Sequence, residues 1–123
     1  MHNGKTVLIV DDSVVERHQL REMMQALGMV VHEASSGEEG IAKAAEIKPN
    51  IILMDVVMPG LNGFQATREI TKSDATKHIP VVMCTSKGQE TDKVWGKRQG
   101  ASGYLIKPVV KEDLSVILDE VLK

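Results

Sequence analysis

One cysteine, Cys84, in 123 residues leaves this chain without a disulfide framework, so a reducing compartment is the economical setting. Aromatic side chains are nearly missing, with one Trp, one Tyr and one Phe, and no obvious pair exists to sandwich a flavin ring. Neither charge sign dominates: 15 Lys+Arg stand against 17 Asp+Glu, a formal net charge of -2. That balance excludes the basic footprint that general nucleic-acid affinity requires. No apolar stretch approaches the ~20 residues needed to cross a bilayer, and no signal-peptide core precedes the first apolar run. A cytoplasmic chain without membrane insertion is therefore expected. Glycine patterns of the dinucleotide or P-loop type do not follow any apolar run. His2, His18, His32 and His78 lack ligand-like spacing to one another or to Cys84, which argues against a zinc site.

What is present is five short apolar runs separated by amphipathic segments: Val7–Val10, Val30–Glu33, Ile51–Met54, Val81–Cys84 and Tyr104–Ile106. Most are continuous, as in strands of a parallel sheet covered on both faces; the second is the most polar and suits an edge. Ser13 and Glu16 have the form of a capping box ahead of Leu20, Met23, Met24 and Leu27, with Gly28 as the stop. Ser36 and Glu39 repeat the signature before Ile41, Ala44, Ala45 and Lys48, and Pro49 ends that segment. A third helix carries Phe64, Thr67 and Ile70, and the last carries Leu114, Ile117, Leu118, Val121 and Leu122, with Glu112 and Asp113 in its favourable first turn. Residues 90–99 hold Val94 and Trp95 as their only large apolar residues, and Gly96 lowers the propensity. A helix is still expected there, because a parallel crossover usually contains one. Residues 71–79 are polar and read as a loop. The length fits one domain, and the alternation predicts a doubly wound α/β fold, a five-stranded parallel sheet in the flavodoxin-like order 2-1-3-4-5 with five helices.

In that order the first and third strands are neighbours, which gathers Asp11, Asp12 and Asp55 at the carboxyl edge of the sheet, where such folds bind ligands. Thr85 and Lys107 end the fourth and fifth runs on the same edge. Taken singly, an Asp after an apolar run is commonly a turn former or helix cap, and a lysine near a proline is commonly just solvated. Polar features at four strand ends on one edge decide for a site. Clustered carboxylates repel, and a hard dication such as Mg²⁺ removes the difficulty. The chemistry these groups suit is phosphoryl transfer onto a carboxylate, with Asp55 as nucleophile and Lys107 and Thr85 pairing with phosphoryl oxygens.

The strand leading into Asp11-Asp12-Ser13, then Leu53-Met54-Asp55 with Met58-Pro59-Gly60 and Gly63, then Thr85-Ser86, then Gly103-Tyr104-Leu105-Ile106-Lys107-Pro108, together resemble the CheY-like receiver domain of bacterial response regulators. The match spans residues 1–123 as a single receiver domain and leaves no room for an output domain. The resemblance implies that Asp55 is the phosphoacceptor. It implies that Asp12, Asp55 and the carbonyl of Val57 ligate Mg²⁺, that Asp11 acts mainly through a water, and that Thr85 and Tyr104 are the switch pair. Lys107 resembles the phosphate-pairing lysine, and Lys107-Pro108 the peptide usually cis in this family. Val57 and Lys87 stand where chemotaxis members carry a polar and an acidic residue flanking the path of an attacking water, so the phosphoryl lifetime does not carry over from those members. Ser86 is slightly larger than the usual Ala or Gly. The stretch from Gln89 to Ala101 is similar to PilH-type regulators of the chemosensory systems that control type IV pilus twitching motility.

The resemblance further implies a monomer whose partners are a histidine kinase or phosphotransfer domain and a protein effector, and a signal carrier rather than an enzyme. Lys87, Lys93, Lys97, Arg98 and Lys111 would give the surface of the fourth and fifth helices a basic character suited to an acidic partner face. Two alternatives accompany this reading: a phosphate sink that drains a kinase without an effector, and an aspartyl-phosphate hydrolase of the haloacid dehalogenase type. The latter typically carries D-x-D after its first strand, whereas Asp55-Val56-Val57 follows the third run here.

Overall fold

The structure is a computed structural model describing residues 2–86 and 91–122, the side chains of 91–93 excepted. Lys87 and the side chain of Lys93, both assigned above to the basic face, lie outside the described residues. The elements alternate as β1 (Thr6–Val10), α1 (Val14–Ala26), β2 (Val30–Ala34), α2 (Gly37–Ile47), β3 (Ile51–Asp55), α3 (Gly63–Lys72), β4 (Val81–Ser86), α4 (Thr91–Arg98), β5 (Gly103–Lys107) and α5 (Lys111–Val121). All neighbouring strands pair in parallel, in the order β2-β1-β3-β4-β5. The expected fold class, strand order and edge position of β2 all hold.

The continuous apolar runs follow from burial on both faces. Along β1, Val7 and Ile9 pack with Leu20, Met24, Leu114 and Leu118 from α1 and α5. Leu8 and Val10 point the other way, into a second cluster with Ala66 and Ile70 of α3. Strand β3 is buried throughout, so neither of its faces can carry a polar residue until Asp55 at its end. Each large aliphatic side chain removed from water in this way contributes about 1.5–3 kcal/mol. Cys84 belongs to the first cluster; burial pushes its thiol up to about 12, so it is a packing residue and not a nucleophile.

Helix starts and stops agree with the sequence in position but differ in detail. Ser13 caps α1 by accepting from the Glu16 backbone N–H, and Gly28 adopts φ 84° after the helix. The expected reciprocal bond from Glu16 to Ser13 is not made. Asp11 Oδ1 takes the Ser13 N–H instead, at 2.8 Å, because the side chain of Glu16 is engaged elsewhere. In α2 the box is displaced by one residue, since Glu39 accepts from the Ser35 backbone rather than from Ser36. A complete capping box occurs at α3, between Asn62 and Gln65, a pair the sequence reading passed over. The polar stretch expected to begin as a loop at Thr71 is helical through Lys72. Ala45, expected on the packed face of α2, is exposed.

Two glycines fix how closely helices approach the sheet. A Cβ on Gly63 would run into the carbonyl group of Asp55, and its own N–H bonds Val56 O at 2.9 Å. A Cβ on Gly96, a buried position of α4, would overlap the Tyr104 hydroxyl and come within 3.1 Å of Met83 Sδ. The weak helix propensity of this segment therefore has a packing reason: α4 lies over the Tyr104 ring only because position 96 has no side chain. Gly63→Ala is expected to destabilise the fold by about 1–3 kcal/mol through overpacking, read as a lower urea midpoint. An unchanged midpoint would mean that the segment beyond Asp55 yields freely.

Candidate metal and phosphoryl site

The parallel register places the polar residues that follow each apolar run on one edge. Asp11 directly follows β1 and Asp55 closes β3; Asp55 pairs in register with Cys84, and Thr85 lies one residue beyond, opposite Ile106, with Ser86 opposite Lys107. Asp11, Asp55 and Thr85 are among the few buried polar residues of the described chain, whereas Asp12 is exposed. Each of Asp11, Asp12 and Asp55 offers an oxygen, and these oxygens all lie within 4.8 Å of one another. At that separation and an effective dielectric of about 20, two carboxylates repel by roughly 3.5 kcal/mol.

Lys107 supplies the compensating charge. Its Nζ donates to Asp55 Oδ1 at 2.7 Å, to Glu16 Oε2 at 2.7 Å and to Asp11 Oδ2 at 3.2 Å. With those bonds all three ammonium donors are engaged. The Lys107–Pro108 peptide that follows is cis. Burial alone would lower the pKa of Lys107, but its hydrogen bonds to Asp55 and Glu16 outweigh burial and raise it above the ordinary value. Burial raises Asp11 despite the Ser13 N–H and Lys107. Asp55 is pushed up to about 6, chiefly by burial, with the hydrogen bond from Lys107 opposing and the charge of Asp11 adding to the rise.

The predicted site residues are thus brought to one edge, with the oxygens of Asp11, Asp12 and Asp55 and the ammonium of Lys107 in one charge cluster. Thr85 is buried beside them at the end of β4. Val57, whose carbonyl the resemblance adds as a ligand, follows two residues after Asp55 and is 76% exposed. Tyr104 is half-buried in the cluster that contains Met83, below α4 and away from the carboxylates in sequence register. Sequence reasoning missed Glu16 as a member of the charge cluster, because its spacing from Ser13 read as a cap. The signal was its place on the first turn of the helix that leaves the Asp11-Asp12 pair. All-oxygen, multiply charged donors at this spacing fit a hard divalent cation that keeps part of its water shell, as Mg²⁺ does. Among the described residues this is the one cluster of three such ligands.

A strand-end carboxylate cluster with a lysine facing it, on a 2-1-3-4-5 sheet, defines a receiver-type site, and the comparisons agree. Residues 7–119 match the family described as the response regulator receiver domain, and the chain belongs to that family. It is 54% identical over 116 residues to the protein PilH of Pseudomonas aeruginosa, covering 94% of this chain and 96% of that one. Its fold is similar to the chemotaxis protein CheY4 of Vibrio cholerae, with TM-score 0.89, 34% identity, and 96% and 98% of the two chains covered. It is also similar, with TM-score 0.88, 29% identity and coverage of 96% and 97%, to the receiver domain of the sensor histidine kinase PA1611 from P. aeruginosa, whose structure has a magnesium ion coordinated in the active site cleft. No helix among the described residues is long and apolar enough to cross a membrane.

A pH dependence follows from the raised Asp55. Without metal, the unfolded chain ionises Asp55 near its ordinary 3.8 while the folded chain keeps the proton to about 6. Between those values the native state binds the extra proton, so this group's contribution makes stability fall as pH rises, by about 3 kcal/mol in all. Urea unfolding of metal-free wild type and Asp55→Asn at pH 4 and pH 7 checks this. The difference between the two proteins should shift in favour of the Asn variant at the higher pH, and a difference constant with pH would refute it.

Proposed function

We propose that this chain is a phosphorylation-switched receiver, with Asp55 the phosphoacceptor, acting as one receiver unit in a phosphorelay. The observation that carries the reading is the Lys107 ammonium held 2.7 Å from Asp55 at a carboxylate cluster able to take a dication. Asp12, Asp55 and the carbonyl of Val57 would hold Mg²⁺ directly, with Asp11 acting mainly through a water. When bound, the ion supplies charge neutralisation and orients the incoming phosphoryl oxygens. An Asp55 oxygen forms the bond to phosphorus as the P–N bond to the donor imidazole breaks, and the leaving nitrogen keeps that electron pair. Lys107 is already within reach of the oxygens that arrive on Asp55, and little more than positioning and electrostatics is needed from the protein. Occupied as a covalent carrier and not turned over on a small substrate, the site makes the chain a signal carrier rather than an enzyme.

The surroundings support docking by a phosphohistidine-bearing kinase or phosphotransfer domain. Val14 and Val15 are 69% and 67% exposed in the first turn of α1, and Val57 is exposed beside the acceptor, so apolar groups flank the carboxylates and offer contact area to a partner. On a second face, Trp95 is 52% exposed with Arg98 stacked on its ring at 5.3 Å. Lys97 and Lys111 are also exposed. This side of α4 and α5 suits an acidic effector, with Thr85 and Tyr104 as the switch residues that report the acceptor's state to it. The similarity to PilH supports a place in type IV pilus twitching motility. Coverage of 96% of that protein supports the reading of residues 1–123 as a single receiver domain.

Intact mass after incubation with Mg²⁺ and a phosphorylated kinase or acetyl phosphate tests the acceptor. One phosphoryl adduct on wild type and none on Asp55→Asn is expected; an adduct on both, or on neither, contradicts the assignment. Thr85→Ala should still take the phosphoryl group but lose most of the affinity difference that an effector shows between the phosphorylated and unmodified forms. An undiminished difference, measured by titration calorimetry, would remove Thr85 from the switch.

A further inference from the structure

The third carboxylate on Lys107 has no part in the chemistry described so far. Glu16 Oε2 accepts from Lys107 Nζ at 2.7 Å, as short as the bond from Lys107 to Asp55. This contact displaces the cap: Glu16 forgoes the reciprocal bond to Ser13 N–H, which Asp11 Oδ1 takes over at 2.8 Å. Glu16 sits outside the three oxygens that can hold a metal, and its side chain is 42% exposed while that of Lys107 is 14% exposed.

When a phosphoryl group arrives on Asp55, the Asp55 oxygen that held Lys107 becomes the bridging oxygen of the acyl phosphate or turns away, and a phosphoryl oxygen takes its place on the ammonium. The Glu16 bond does not depend on that oxygen and persists. It draws the ammonium toward α1 and partly neutralises it, and the carboxylate adds a further negative charge close to an incoming dianion. We propose that Glu16 is a positioning residue that competes with the phosphoryl group for Lys107, and so weakens the hold of the site on the phosphorylated state. The inference rests on Asp55 being the acceptor. Removing the charge of Glu16 while keeping its shape should therefore tighten the site for a phosphoryl-shaped anion.

The test uses the full chain with beryllium fluoride at saturating Mg²⁺, bound fluoride being followed by ¹⁹F NMR, for wild type, Glu16→Gln, Lys107→Gln and the double variant. Saturating Mg²⁺ keeps any loss of metal affinity out of the comparison, and equal urea midpoints for wild type and Glu16→Gln exclude a folding effect. Glu16→Gln should bind beryllium fluoride about threefold more tightly than wild type, the size expected of a half-exposed ion pair. That ratio should shrink toward one in the Lys107→Gln background, because the effect is transmitted through Lys107. Equal or weaker binding by Glu16→Gln overturns the proposal, as does a threefold gain that survives without Lys107, which would mark a general charge effect. If wild type takes neither beryllium fluoride nor a phosphoryl group, the assignment of Asp55 falls and this inference falls with it; if wild type takes both and Glu16→Gln behaves identically, only the role of Glu16 is lost.

Discussion

Everything at the carboxyl edge of this sheet depends on one ammonium. Asp11 and Asp55 are buried at adjacent strand ends, where two unscreened carboxylates would repel strongly enough to hold a proton between them. Lys107 reaches that edge from β5, two strands away from β3, and bonds both. Its reach is fixed by the register that sets it opposite Ser86 and by the packing of β5 on β4. One lysine thus converts a repulsive cluster into a folded but incompletely neutralised one. Burial holds Asp55 up at about 6 even with Lys107 attached, and the charge of Asp11 adds to the rise. Three clustered carboxylates and Glu16 against one ammonium leave the edge short of positive charge, a deficit that a dication would meet.

The same constraint organises the fold around it. Strand β3 is apolar and buried along its length, so Asp55 can only be where the strand ends. Gly63 lets the start of α3 close down on the Asp55 backbone, which keeps this carboxylate at the bottom of a tight turn instead of at the tip of a loose loop. On the far side of β4, Gly96 admits the Tyr104 ring beneath α4. The two close approaches sit on opposite flanks of β4, the strand that carries Thr85. A change at the carboxylates and a change at the α4 surface are therefore separated by one strand and by rigid, side-chain-free contacts, the kind of packing that has discrete arrangements rather than continuous give.

Much of this was legible in the sequence. Continuous apolar runs implied a sheet covered on both faces, and alternation with amphipathic segments implied the parallel order that makes β1 and β3 neighbours; from those two inferences Asp11, Asp12 and Asp55 had to meet. Lys107 was legible for the same reason, as the residue ending the fifth run. What did not show was anything decided between side chains of different elements. Ser13 and Glu16 have the spacing of a capping box, and the presence of Lys107 across the site draws Glu16 away into a bond between two full charges. Gly96 looked like a weakness in a helix because its reason, the Tyr104 hydroxyl, lies on another strand. The Asn62–Gln65 box at α3 was readable and was passed over in favour of the apolar spacing.

The central claim is that the carboxylate edge is a dication site whose occupancy is coupled to the proton on Asp55. Calorimetric titration with Mg²⁺ at pH 7.5 and pH 5 tests it most directly. The account predicts one ion per chain, binding roughly tenfold weaker at pH 5 with a proton released on binding, because Asp55 must ionise to become a ligand. Affinity lost in Asp12→Asn would complete that result. Binding that is indifferent to pH across this range, or no binding at millimolar Mg²⁺, would contradict it.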